Sequence, residues 1–320
     1  FFEIGGNSIK IMQMVAKIEE RFQVEIEFRT IFEGKTIKKI SDEIRDNQGK
    51  EITRKYKKWT TDEEHVNQPF PLTGIQSSYL LGRKEAYELG GVSTHIYNEF
   101  ETIADLKRLN DSLNKLIKRH PMLRAIITEE GKQQILSHIP EYQIEIEDIK
   151  ALSKNKQIKA IESERSRMSH EVFKTDEWPL FRIKAFYLTK EVVYLCVGMD
   201  LLIADASSIR IMLNELGMYY DDEKVELKKL NFNFRDYVLA RKEMENTEIY
   251  LRDKTYWLDR VADFPLAPEV PLKIKPSEVE KTSFSRKHKL FVEEELKQLK
   301  KYAAENGVTM AALLCTAYGK

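Results

Sequence analysis

Apolar positions along the chain change period several times, and those changes divide it before any chemistry is considered. Ile9, Met12, Val15, Ile18 and Phe22 recur at helical spacing and predict an amphipathic helix near the start. Residues 45–68 are polar and charged, include Arg54-Lys-Tyr-Lys-Lys58, and show no apolar period, which reads as a tether. Beyond it the pattern alternates. A turn and strand fall over 89–100, and a helix over 106–119 carries Leu109, Leu113, Leu116 and Ile117 on one face. A strand over 125–128, a short apolar stretch at 134–136, a charged helix over about 153–172 and an alternating strand over 181–188 follow. Helices interleaved with strands predict an α/β layer on a mixed sheet.

The next stretch puts charge where it is costly. Residues 192–199 form a continuous apolar run, short enough for a strand buried on both faces. Asp200-Leu-Leu-Ile-Ala-Asp205-Ala-Ser-Ser208 then sets two carboxylates and a hydroxyl in apolar surroundings, and Ile209, Met212, Leu213, Leu216 and Tyr220 continue at helical spacing. The pattern predicts a strand-to-helix turn, with Asp200 closing the strand and the helix starting near Ser207. Such turns hold site residues in α/β proteins, and they also hold structural caps. A desolvated Asp has a raised pKa and suits proton transfer. Asp205, however, stands where it would cap the helix through Ser207 or Ser208, a role that also makes Ser208 a helix-start hydroxyl and not a nucleophile. Asp200 is the better candidate to touch substrate.

Composition narrows the classes. Lys plus Arg and Asp plus Glu balance at 52 each, so no global field favours nucleic acid or an anionic membrane. The two cysteines, Cys196 and Cys315, have neither metal-ligand nor redox spacing, and the six histidines show no ligand pattern, so no metal is expected. No run is long enough to cross a membrane and the start lacks the plan of a signal peptide, so a cytoplasmic location fits best. The chain opens and stops inside patterns, as a fragment of a longer polypeptide would.

At the start, Gly5 and Gly6 precede Asn7 and Ser8 at a predicted helix N-terminus. Free N–H groups and the positive dipole end would favour a phosphate ester on Ser8, but local chemistry alone favours Asn7 or Ser8 as an ordinary cap.

Resemblance adds a family to these readings. Phe2-Glu-Ile-Gly-Gly-Asn-Ser-Ile9 resembles the signature of peptidyl carrier proteins, in which Ser8 matches the attachment position of 4′-phosphopantetheine. The stretches 24–32 and 36–44 look like that family's short third helix and its last helix, while its first helix is absent. From Phe70 onward four stretches resemble the condensation superfamily of nonribosomal peptide synthetases, and within it the heterocyclization branch. They are Phe70-Pro-Leu-Thr with Gln76, Tyr79, Gly82 and Arg83, extended by Leu89-Gly-Gly-Val with His95 and Tyr97; Arg119-His-Pro-Met-Leu-Arg124 with Gly131-Lys-Gln-Gln-Ile-Leu136; Asp200, Asp205 and Ser208; and Phe264-Pro-Leu-Ala-Pro-Glu-Val-Pro-Leu272. The third has the Asp-x4-Asp-x2-Ser form that stands in this branch where ordinary condensation domains carry His-His-x3-Asp-Gly.

What the resemblance implies is a partial carrier over 1–46, a linker over 47–69, a first lobe of chloramphenicol-acetyltransferase type over 70–263, and an inter-lobe segment with the start of an incomplete second lobe over 264–320. A strand over 282–291 and helices over 292–306 and 310–318 would open that second lobe. The activity implied joins a carrier-bound donor thioester to carrier-bound Cys, Ser or Thr, then cyclises and dehydrates to a thiazoline or oxazoline. Asp200, Asp205 and Ser208 are its candidate catalytic set, with Asp205 held by Arg124 as an arginine holds the matching Asp in condensation domains. Neighbouring carrier and adenylation domains, a phosphopantetheinyl transferase and carrier-tethered substrates are the implied partners. A degenerate scaffold that only binds carriers, a plain amide-forming domain and a free acyltransferase using coenzyme A thioesters are the competing readings.

Overall fold

The apolar stripe that opens the chain folds as α1 (Ser8–Phe22), and its buried Ile11, Val15 and Ile18 meet Val24, Ile26, Ile31 and Ile40 in one small core. Ile40 belongs to α2 (Ile37–Asn47), which starts where Thr36 accepts a hydrogen bond from the Lys39 amide at 3.4 Å. The structure, a computed structural model, describes residues 8–26, 31, 36–50, 59–266, 271–284 and 290–319. The short helix expected within 24–32 falls mostly outside the described residues. Contacts divide the chain into two units, Phe1–Asp62 and Glu63–Lys320.

The second unit holds two sheets. The smaller joins β1 (Phe70–Pro71), β4 (Lys132–Ile135) and β3 (Ala125–Ile127), all antiparallel. The larger runs in the order β2 (His95–Ile103), β7 (Val192–Asp200), β6 (Phe181–Tyr187) and β5 (Glu145–Asp148); only the β5 to β6 pairing is parallel, so the sheet is mixed. Alternation along β7 sends Val193, Leu195 and Val197 to one face and Cys196 to the other.

The first face is covered by α4 (Leu106–Arg119) and α6 (Ala206–Asp221). Leu113, Leu116 and Ile117 of α4 and Met212 of α6 join Phe181, Ile183 and Leu195 of the sheet in the main core. Helix α4 forms because its apolar positions lie on one stripe and because Asp105 accepts from the amides of Lys107 and Arg108, at 2.9 and 3.1 Å. The opposite face is covered by α5 (Lys154–Met168), whose Ile161 and Met168 pack with Tyr97, Phe186 and Cys196. On that face Glu99 accepts from the hydroxyls of Tyr97 and Tyr194, each at 2.7 Å, and from Arg165, a polar node that pins α5 to the sheet.

Helix α3 (Gly74–Leu81) follows β1, and α7 (Phe234–Met244) lies against β1. After α8 (Glu248–Val261), which buries none of its residues, come α9 (Glu293–Glu305) and α10 (Met310–Tyr318), packed on each other. The strand expected over 282–291 is not found among its described residues, 282–284 and 290–291; its centre, and 267–270 of the proline-rich stretch, lie outside them. Among the described residues no helix is long and apolar enough to cross a membrane.

Candidate functional site

The turn between β7 and α6 gathers a buried polar network. Asp200 closes β7, paired in register with His95 of β2, and is 0% exposed. One of its oxygens, Oδ2, accepts from the Arg83 guanidinium and from the Ser93 hydroxyl, the latter at 2.8 Å. The other, Oδ1, accepts from the Leu202 amide at 2.9 Å. Arg83, whose side chain is only 8% exposed, also donates to the Phe173 carbonyl at 2.8 Å and to the Ser93 hydroxyl at 2.9 Å. Burying such a pair is costly, and its hydrogen bonding is incomplete, because the buried Arg83 Nε has no hydrogen-bond partner among the described residues. Asp200 is therefore the anchor of the turn, tied to the loop after α3, and it is closed to solvent.

That loop is folded tightly to bring Arg83 and Ser93 to the carboxylate. Gly90 lies so close to the Lys84 carbonyl that an added Cβ would sit 2.1 Å from its oxygen, and Gly91 has φ +77°. No other residue type fits both places.

A second buried network holds the turn from beneath. Gln76 of α3 and Gln133 of β4 exchange amide hydrogen bonds at 2.9 and 3.1 Å. Gln76 also donates to the Leu202 carbonyl at 2.7 Å, and Gln133 to the Pro71 carbonyl at 2.7 Å. Every polar atom of the pair that faces the interior has a partner, which is what allows two amides there.

Asp205 lies on the open side of the same turn. It is exposed and caps α6, its Oδ1 accepting from the Ser208 amide and the Ser208 hydroxyl, each at 2.7 Å. Those bonds, the amide first, hold its carboxyl below the usual aspartate range, so it is a carboxylate at neutral pH. The Ser208 hydroxyl spends its proton on this cap.

Two expectations are thereby corrected. Arg124 does not hold Asp205: its guanidinium donates to the carbonyls of Ile117 at 2.7 Å, Lys118 at 2.9 Å and Leu136 at 3.3 Å, closing the end of α4 and tying it to the segment after β4. The arginine that holds an aspartate is Arg83, and the aspartate is Asp200. The order of exposure is also reversed, because the residue expected to touch substrate is the enclosed one.

Histidines near the turn are held structurally. His95 has its ring nitrogens 3.2 Å from the carbonyl oxygens of Ser93 and Met168. His120 lies 2.6 Å from Glu215, which also accepts from Arg119 at 2.8 Å. Burial pushes the Glu215 carboxyl up, but Arg119 and His120 outweigh it and hold it below the usual range. Among the described residues no cluster of His, Cys, Asp and Glu could hold a metal ion.

In the first unit Ser8 is the first residue of α1. The first turn of that helix carries no acidic residue, and the positive end of a helix dipole favours a phosphodiester.

The sequence reading left out Ser93 and met Gln76, Arg83 and Gln133 only as members of family-like stretches, with no role assigned to any of them. The signal was there only in part: Gln76 and Arg83 stand in the stretch after Phe70, but nothing local says that they face residues 117 to 126 positions away.

The family model for the condensation domain matches residues 66–320, and that for the phosphopantetheine attachment site matches residues 1–44; the group of the latter domain is covalently attached 4′-phosphopantetheine. Bacitracin synthase 1 of Bacillus licheniformis is 38% identical over 99% of the chain, which spans 6% of that protein. Pyochelin synthetase PchE of Pseudomonas aeruginosa is 31% identical over 79% of the chain and 18% of its own length. The cyclization-docking bidomain of EpoB from Sorangium cellulosum superposes with a TM-score of 0.72 at 27% identity, covering 93% of this chain and 62% of that one. The chain thus spans a small part of the curated relatives it matches.

Proposed function

The chain belongs to the condensation-domain family, with a phosphopantetheine attachment site ahead of that domain, and from this premise we propose that it is the carrier and heterocyclization pair of a nonribosomal peptide synthetase. Residues 1–46 are the carrier, with the arm on Ser8; 70–263 are the first lobe of the heterocyclization domain, and 264–320 lead into the second. The observation that carries the reading is the turn itself. Where an ordinary condensation domain sets a histidine pair, this chain sets Asp200 locked onto Arg83 and Asp205 capping α6.

In the reaction, the amine of a carrier-bound Cys, Ser or Thr attacks the donor thioester carbon. A C–N bond forms, the C–S bond breaks, and the amine's proton leaves with the pantetheine thiolate. The acceptor side chain then adds to the new amide carbon. The former carbonyl oxygen departs as water, taking the side-chain proton and the amide N–H and leaving a thiazoline or oxazoline. Positioning two tethered reactants supplies much of the acceleration in such steps. Asp200 is a positioning residue: it fixes the backbone of residues 200–205. Asp205, ionised and exposed, is the carboxylate that can meet the acceptor amine, with Ser208 orienting it.

Intact-mass measurement of the acceptor carrier in the complete synthetase tests this. A condensed product that has also lost one water is expected. Condensation without loss of water would make the chain an amide-forming domain, and no transfer at all would make it a carrier-binding scaffold. Ser8→Ala should abolish the mass gain from phosphopantetheinyl transferase and coenzyme A; a gain that persisted would move the arm elsewhere.

A further inference from the structure

His95 opens β2, is half-buried and pairs in register with Asp200, so the two side chains lie on one face of the sheet. Both of its ring nitrogens meet acceptors. Nδ1 lies 3.2 Å from the Ser93 carbonyl oxygen, and Nε2 lies 3.2 Å from that of Met168, the last residue of α5. A carbonyl oxygen cannot donate and a neutral imidazole carries one N–H, so the neutral ring makes only one of these bonds and sets a lone pair against the other oxygen. The imidazolium makes both. It also puts a positive charge at the C-terminal end of α5, where the helix dipole favours it. Charged side chains on that face have partners of their own: Asp200 bonds Arg83, Glu99 bonds Arg165, Glu164 bonds Arg167, and Glu171 bonds Arg182. The second histidine there is His170, two residues beyond α5, whose Nδ1 lies 3.0 Å from the Ser166 carbonyl oxygen.

We propose that His95 is a positioning residue that works as a doubly protonated clamp, holding the serine that binds Asp200 to the end of α5. The inference rests on the condensation reading above and adds a residue to it. Ser93 is gripped from both sides: its carbonyl accepts from the ring, while its hydroxyl donates to Asp200 at 2.8 Å and accepts from Arg83 at 2.9 Å. Thr94 follows the turn as well, because its carbonyl accepts from the Leu201 amide at 3.0 Å. Arg83 also donates to the Phe173 carbonyl, so α5 and the segment after it are tied to this loop at two points. When the ring gives up its second proton one of its two bonds is lost, and either Ser93 or the end of α5 is released. The clamp is therefore complete in acid and loosens as the pH rises, the sign that follows for a cation that gains acceptors on folding.

Proton NMR of the wild-type chain with ¹⁵N-histidine reads the ring directly and needs no variant. At pH 5.5 His95 should show two ring N–H protons sheltered from exchange, one in contact with Ser93 and the other with Met168, and at pH 8.5 one of them should be gone. A single sheltered proton at pH 5.5, or none, overturns the proposal. Chemical denaturation gives the size of the effect. The ratio of the His95→Gln unfolding constant to that of the wild type should be about fivefold larger at pH 5.5 than at pH 8.5, the worth of one hydrogen bond. An equal ratio at both values overturns the clamp, as does a pH dependence that vanishes when His170→Gln is added to both proteins. In the complete synthetase, single-turnover transfer by the wild type relative to His95→Gln should rise as the pH falls over the same range. A constant ratio overturns the positioning role. Two sheltered protons in a synthetase that transfers nothing uphold the clamp and defeat the condensation reading instead.

Discussion

Asp200 and Asp205 sit at the two ends of one turn, yet they differ in almost every physical respect. The first is enclosed, meets an arginine, a serine hydroxyl and a backbone amide, and joins β7 to the loop after α3. The second is exposed and meets only its own helix, through Ser208. Spacing and residue type are blind to this difference, because both are aspartates in apolar sequence. What separates them is which groups from distant parts of the chain arrive beside them. The enclosed carboxylate anchors the turn to a distant loop, and the exposed one caps the helix that follows.

The sharpest way to break the comparison is to remove one member of the enclosed pair. Asp200→Ala leaves the Arg83 guanidinium buried without its counter-charge, and the expected loss of stability is about 3 to 5 kcal/mol by chemical denaturation. Arg83→Met with Asp200→Leu should recover most of that loss, since an apolar pair of similar volume avoids the desolvation cost. A double variant no more stable than Asp200→Ala would show that the pair does more than neutralise itself. Activity lost in Asp200→Ala says nothing about proton transfer unless the double variant is also measured.

Next in size is the amide pair beneath the turn. Gln76→Ala strands Gln133 and the Leu202 carbonyl, and about 1 to 3 kcal/mol should be lost. Gln76→Glu should cost at least as much, because a carboxylate cannot donate to that carbonyl. A loss well below 1 kcal/mol would mean that water replaces the amide and that the turn is not held from this side.

How much of this was legible in the sequence follows from the range of the forces involved. The helix over 106–119 was readable to the residue, because a stripe of Leu and Ile is a local signal. The strand ending at Asp200 and the helix after it were readable for the same reason, and so was the cap by Asp205. The partner of Asp200 was not: Arg83 and Arg124 are both arginines in family-like stretches, and only the register of β2 against β7, with the tight loop at Gly90, brings one of them to the carboxylate.

The exposed end of the turn gives the smaller effects. Asp205→Ala removes the cap of α6 and should cost about 1 kcal/mol, with little change in the rest of the unit. Asp205→Asn is the finer probe. Asn caps nearly as well as Asp, so what it removes is the charge at the helix N-terminus, typically 0.3 to 1 kcal/mol. Because the Asp205 carboxyl is held below its usual range by the Ser208 amide and hydroxyl, its contribution is complete above the unfolded aspartate value near 4 and disappears as pH falls through the lower folded value. The stability difference between wild type and Asp205→Asn should therefore be constant from pH 7 to about 5 and close toward zero on further acidification. The Asp200→Ala difference measured alongside it sets the contrast between the two carboxylates. If condensation falls in Asp205→Asn at pH 7 by far more than this small stability change explains, the charge acts on substrate; if it falls only in step with stability, Asp205 is a cap and no more.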